Sequence, residues 1–289
     1  HIHYPSPMHP LPAEHAHSLR NGHLRWAILW LVAVLAWAGC RADAPPDPLF
    51  APEAPLFASS EEERAAALAL LDSVRQDAMQ QAFERLPRYA FTRRLRTAQL
   101  APGDSVLAVE TRVLRFPPPD SAERPVVVQA DSAGAFRLGW LGRFAPSGDA
   151  TALPTELAQY VLPDDPPYLD PRTQEAFRYR LRSDTLAGRP VRAVEVRAQP
   201  GELGAGQEIR HARLYVDPAS YELVGLDVVR AAPGALFRED SRSHVRLRPA
   251  PDSGWVPAAV RFHARVDMPL RAPQAFRTSS TFYGYRPVE

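Results

Sequence analysis

The 289-residue chain has no lysine, one cysteine (Cys40) and one asparagine (Asn21). A lone cysteine excludes an intramolecular disulfide and the cysteine-rich zinc sites, so stability must come from packing. Charge excess is missing too: 34 basic residues stand against 33 acidic ones, which leaves no electrostatic footprint for nucleic acid. All basic side chains are arginine, and with 31 prolines the composition reads as G and C coding bias more than as a binding adaptation. A helix that spans a bilayer needs ~20 apolar residues. The apolar run over 26–39 has 14, so a permanent transmembrane segment is the poorer reading of it.

Arg20, His23 and Arg25 precede that run, which closes on Ala38-Gly39-Cys40. A short apolar stretch ending in two small residues and cysteine resembles the export signal of bacterial lipoproteins, with Trp37 standing where leucine is usual. The resemblance implies cleavage before Cys40, diacylglycerol on its thiol and a further acyl chain on the new amine. At ~0.8 kcal/mol per buried CH₂, several chains anchor stably where a single one does not. Arg41 follows the cysteine, where lipoproteins retained at the inner membrane commonly carry Asp. The expected address is therefore the bacterial cell envelope, at the outer membrane facing the periplasm, with the membrane as partner through acylated Cys40. His1 is an unusual start and Met8 a candidate initiator; either way 1–39 is read as a signal peptide with an N-terminal extension.

Residues 40–58 form a lipid-anchored, proline-rich linker that favours extended conformation. Ser60 and Glu63 then have capping-box spacing, and Ala67, Leu71, Val74, Ala78 and Ala82 recur at helical spacing until Pro87. One long N-terminal helix is predicted. Beyond it the period changes to two, with strands expected over 89–100, 105–116, 124–130, 135–141, 177–182, 191–197, 211–217, 221–230, 241–248, 255–266 and 276–285. Short connections make neighbours antiparallel. The turn at Asp217-Pro218-Ala219-Ser220 has Pro to preset φ and Asp to bond the backbone beyond it. A break rich in Pro and Asp covers 145–172, with a short helix over 155–161. Residues 59–289 are read as a single domain, mainly β with α: a curved antiparallel sheet or incomplete β-barrel of about ten or eleven strands covered by the long helix.

No catalytic constellation emerges. Only His211, His244 and His263 follow the signal, on three different strands and without metal-ligand spacing, so no metal or cofactor is expected. Gly-x-Ser-x-Gly does not occur. Gly201, Gly204 and Gly206 precede a strand rather than a helix N-terminus and read as a flexible connection, and Asp164 and Asp165 sit among prolines in a solvated loop. Arginine stripes at period two (Arg178, Arg180, Arg182; Arg242, Arg246, Arg248; Arg261, Arg265) read either as a solvated outer face or as contacts with anionic lipid head groups.

The segment from Ala212 to Val224, ARLYVDPASYELV, places an Asp-Pro turn between two apolar strands behind a helix and a lipoprotein signal. In this it resembles the superfamily of periplasmic lipoprotein carriers and outer-membrane lipoprotein-sorting proteins. The resemblance implies an open β-barrel closed by helices that binds lipid or lipoprotein acyl chains without catalysis. Periodicity alone nominates Leu71, Val74, Phe177, Tyr179, Leu214 and Phe262 as cavity lining. The expected activity is thus a membrane-anchored, non-enzymatic lipid-binding lipoprotein. The alternative is a structural or protein-interaction module of the envelope with a packed core and an envelope protein as partner. Replacing Cys40 by Ala is expected to leave a soluble periplasmic or an uncleaved product; membrane attachment unchanged by the substitution refutes the lipoprotein assignment.

Overall fold

The computed structural model describes residues 57–118, 123–136, 166–199, 209–233, 238–267 and 272–287. Cys40 and the signal, the linker up to residue 56, most of the strand expected over 135–141, the short helix expected over 155–161 and the glycines of 201–206 lie outside the described residues.

The period-two stretches form ten strands: β1 (Tyr89–Leu100), β2 (Val106–Phe116), β3 (Val126–Ala133), β4 (Phe177–Leu186), β5 (Arg189–Ala198), β6 (Ile209–Val216), β7 (Leu223–Pro233), β8 (Arg238–Pro249), β9 (Trp255–Asp267) and β10 (Gln274–Pro287). They make one antiparallel sheet in the order β3-β2-β1-β10-β9-β8-β7-β6-β5-β4. Strands adjacent in sequence pair with each other except β3 and β4, which form the two edges; the sheet is open and not a closed barrel. β1 joins β10 in register from Leu100↔Ala275 to Tyr89↔Pro287. At the β6–β7 turn Asp217 Oδ1 accepts from the Ala219 and Ser220 amides at 2.8 and 3.3 Å, as its sequence demands.

The single long helix is corrected by the structure to two shorter ones, α1 (Glu61–Ser73) and α2 (Asp77–Glu84). α1 begins as expected, with Ser60 Oγ accepting from the Glu63 amide at 3.1 Å. It stops at Val74, whose backbone is extended (φ −71°, ψ 127°). The Arg75 amide donates to the Tyr221 carbonyl at 2.9 Å, and the Arg75 guanidinium lies 3.6 Å from Glu222. The β6–β7 turn thus offers the backbone a partner that replaces the next helical bond. Helical spacing continues past this point in sequence, but tertiary contact outweighs it.

Strand alternation separates an inner from an outer face. α1 packs on β4, and α2 on β7 and β9. A continuous core draws on both helices and on every strand except β3, whose eight residues are all exposed. Register shifts between Ala90 and Thr92, Gln99 and Leu100, Val113 and Leu114, Ile209 and His211, Tyr215 and Val216, and Arg246 and Leu247 mark bulges, which bend strands and increase local twist. All described elements belong to one compact unit, Pro48–Glu289, which therefore contains its own core.

At the β1–β10 seam Phe91 stacks on Phe116 at 4.4 Å and meets Tyr285 at 5.6 Å and Phe282 at 6.2 Å. Phe91 is buried. Phe91→Ala is expected to lower unfolding free energy by about 3–5 kcal/mol in a denaturant titration, since three rings lose their common neighbour.

Candidate functional site

The inner face has two unlike halves. One, beneath the helices and around the Phe91 seam, is apolar: Leu95, Leu114, Val194, Val196, Leu214, Leu226, Val228, Val245 and Val260 are buried there. Following β1, β10, β9 and β8 away from that region, the same face becomes mixed. Register sets Ser243 beside Phe262, Phe262 beside Thr278, Ala264 beside Phe276 and Val266 beside Gln274. Phe262, Val266 and Phe276 are half-buried, whereas Ser241, Ser243, Ser280 and Gln99 are buried. Arg93 is buried in this half as well and donates to Ser280 Oγ from Nε at 3.2 Å and from Nη2 at 3.1 Å. Burial pulls its pKa down to about 10, so it remains a cation at neutral pH. This amphipathic half, with aromatic and aliphatic side chains interleaved with hydroxyls and one guanidinium, is the candidate site. Its chemistry suits a molecule with hydrocarbon and oxygen-bearing parts.

The residues nominated from periodicity are distributed unevenly between the halves. Leu71, Phe177, Tyr179 and Leu214 are buried in the apolar core, and Val74 packs against that core at the helix break. Tyr179 donates its hydroxyl to the Tyr168 carbonyl at 2.6 Å. Phe262 stands in the amphipathic half. Ser243, Phe276, Thr278, Ser280 and Arg93 were missed. Their signal in the sequence was the alternation of Ser with Arg and His in β8 and the run Thr278-Ser279-Ser280-Thr281 in β10, which place hydroxyls in the inner row. Beside the start of α1 a separate polar depression of about 260 Å³ is lined by Ser59, Glu61, Arg64, Glu175, Phe177, Arg178 and Gln199.

The outer face contains the arginine stripes, and the structure shows them to be partly structural. Glu195, with 1% of its side chain exposed, lies 2.6 Å from Arg180 and 2.8 Å from Arg197, with His211 at 3.4 Å and Arg213 at 3.6 Å. The Phe57 ring covers two of these cations, 4.1 Å from the Arg180 guanidinium and 5.6 Å from that of Arg197. Burial alone would raise the Glu195 pKa; hydrogen bonds from His211, Arg180 and Arg197 outweigh it and hold the carboxyl far below the usual range. Asp227 is held low in the same way: burial is outweighed by His244, whose Nδ1 is 2.8 Å away, and by Arg246, which donates at 2.8 Å. Tyr215 donates to the same carboxylate at 3.0 Å. These histidines pair with carboxylates in cross-strand ladders, and among the described residues no group of three or more His, Cys, Asp or Glu side chains is arranged to hold a metal. Among them, too, no helix is long and apolar enough to cross a membrane.

No family model matches the chain, and no curated protein matches it. Solved structures do. The chain is similar to a DUF1329 family protein from Desulfovibrio piger at 9% identity, covering 78% of this chain and 93% of that one, with a TM-score of 0.25. It is similar to a LolA superfamily protein from Nitrosomonas europaea at 11% identity, with 77% and 94% covered and a TM-score of 0.21. A third is an outer-membrane lipoprotein-sorting protein domain from Vibrio parahaemolyticus at 10% identity, with 77% and 92% covered and a TM-score of 0.25. At such TM-scores the likeness transfers no residue role to this chain.

Glu195→Gln is expected to cost about 2–3 kcal/mol at pH 7, because Arg180 and Arg197 lose their counter-charge. A carboxyl whose pKa is depressed by folding stabilises above its ordinary value of 4.5 and loses that contribution as pH falls below it. Chemical denaturation between pH 7 and pH 3 is therefore expected to show a shallower acid loss of stability in the variant than in the parent.

Proposed function

We propose that the chain is a non-enzymatic envelope lipoprotein, tethered at the periplasmic side of the outer membrane through acylated Cys40, that binds a lipid or lipoprotein acyl chain on the inner face of its sheet. The observation that carries this reading is the cover seen among the described residues: their helices lie on β4, β7 and β9, while Phe262, Val266 and Phe276 are half-buried. Hydrocarbon laid against these side chains leaves water at about 25 cal/mol per Å². Thr278, half-buried beside Phe262, supplies a hydroxyl for ester or head-group oxygens, with Ser243, Ser280 and the Arg93 cation buried behind it, a combination that a purely aliphatic pocket lacks. Phe262 touches the ligand in this reading, and Leu71, Val74, Phe177, Tyr179 and Leu214 form the packed wall behind it.

The test is native mass spectrometry of residues 40–289 with Cys40→Ser, purified without detergent. Bound species of lipid mass are expected on the parent, and at least tenfold less of them on Phe262→Glu/Phe276→Glu, with the melting temperature of the pair within a few degrees. A bare parent mass removes the carrier reading and leaves an envelope interaction module with a packed core.

A further inference from the structure

The inner face and its helices leave one corner of the sheet unexplained. On the outer face, register sets Val126 of β3 beside Arg115 of β2, Thr92 of β1 beside both Arg115 and Tyr283 of β10, and Ala90 of β1 beside Arg286. One row further, Arg94 lies between Val113 and Thr281. Arg94, Arg115 and Arg286 are exposed, and no carboxylate occupies a position opposite any of them. Of the described acids near this corner, Asp131 is paired with Thr111 in the outer rows and Glu123, just before β3, has an interaction of its own. Around Glu195 and Asp227 the arginines of this face are paired with carboxylates, whereas Arg94, Arg115 and Arg286 stand opposite uncharged residues and beside exposed apolar ones.

Large apolar side chains are exposed at the same corner. Val126, Val128 and Tyr283 have 43%, 53% and 40% of their surface in water, and β3 is an edge strand that gives nothing to the core. A solvated face has no use for aliphatic side chains, and a surface built for a soluble polyanion needs only the cations. Aliphatic residues, a tyrosine and acid-free arginines together are the composition that lies in the head-group region of a bilayer: apolar tips enter, the phenol remains at the interface and guanidiniums bind phosphates.

We propose that Arg94, Arg115 and Arg286 with Val126, Val128 and Tyr283 form a docking surface for an anionic phospholipid bilayer. This rests on the envelope location proposed above and goes beyond it. The acyl anchor sets how far the domain strays, whereas this corner sets which way it faces. Docking there brings the open β3 edge of the sheet to the membrane and leaves the helices pointing away.

The test is flotation of residues 40–289 with Cys40→Ser, a chain without an acyl anchor, on vesicles of phosphatidylcholine alone or with 30% phosphatidylglycerol (about a third of the lipid, an ordinary anionic load). The parent is expected to float with the anionic vesicles at low salt and to be released at high salt. Arg94→Ser/Arg115→Ser is expected to bind about thirtyfold more weakly, and Val126→Asp/Val128→Asp to lose binding. Arg182→Glu, an exposed arginine on β4 at the opposite edge of the sheet, is expected to bind as the parent does. Circular dichroism confirms that each variant is folded. Equal binding to both vesicle types, no binding by the parent, or equal weakening by Arg182→Glu overturns the proposal. Because neither acylation nor the inner face enters the assay, failure here leaves the lipid-carrier reading standing, and a bare mass in the native spectrum leaves this surface standing.

Discussion

The pairing of β1 with β10 makes a single structure out of two meanders. Without it β1–β3 would be a three-stranded ribbon and β4–β10 a separate sheet, since β3 and β4 do not pair. The seam is sealed on the inner side by Tyr89, Phe91, Phe116, Phe282 and Tyr285, five aromatic rings brought from the two ends of the folded unit. Long-range pairing has a loop-closure cost before any contact forms, and large rings, each burying much apolar area, offset it most economically. The breadth of the inner face follows from this join, and among the described residues two short helices lie on part of it.

The two faces of the sheet solve different problems. The inner face is apolar where helices lie on it and mixed where they do not. On the outer face, cross-strand ladders of Arg, His and carboxylate join β4 through β8, with Glu195 and Asp227 each surrounded by several donors. Buried carboxylates in such ladders are sustained by hydrogen bonds more than by simple attraction, and they pin register, since a slip of one residue would turn them to the inner face. Towards β1 and β2 the ladders end, and Arg94 and Arg115 stand opposite uncharged residues.

Much of the strand pattern was legible in the residues. The limits of β1 and the Asp217 turn follow directly from alternation and side-chain chemistry, and Ser60 caps α1 as its spacing demands. The division of the helix at Val74 was not legible, because the reason lies in Tyr221 and Glu222, more than a hundred residues away. The candidate site was visible only through Phe262. Leu71, Phe177, Tyr179 and Leu214 have the same periodicity, yet they lie where α1 covers the sheet. Alternation tells which side of a strand a residue occupies and says nothing of how far along that side the cover extends.

By itself the sequence determined the class of structure and the faces of its strands, because a side-chain period of two is a local property of extended backbone. The resemblance of the segment ending at Cys40 to a lipoprotein signal is likewise read from local order. Tertiary structure alone decided that β1 meets β10, that the helix divides, that Glu195 is buried among arginines and that Arg94 and Arg115 are not so balanced. Each of these depends on which strands become neighbours, and neighbourhood across the sheet arises from the burial of side chains far apart in the chain.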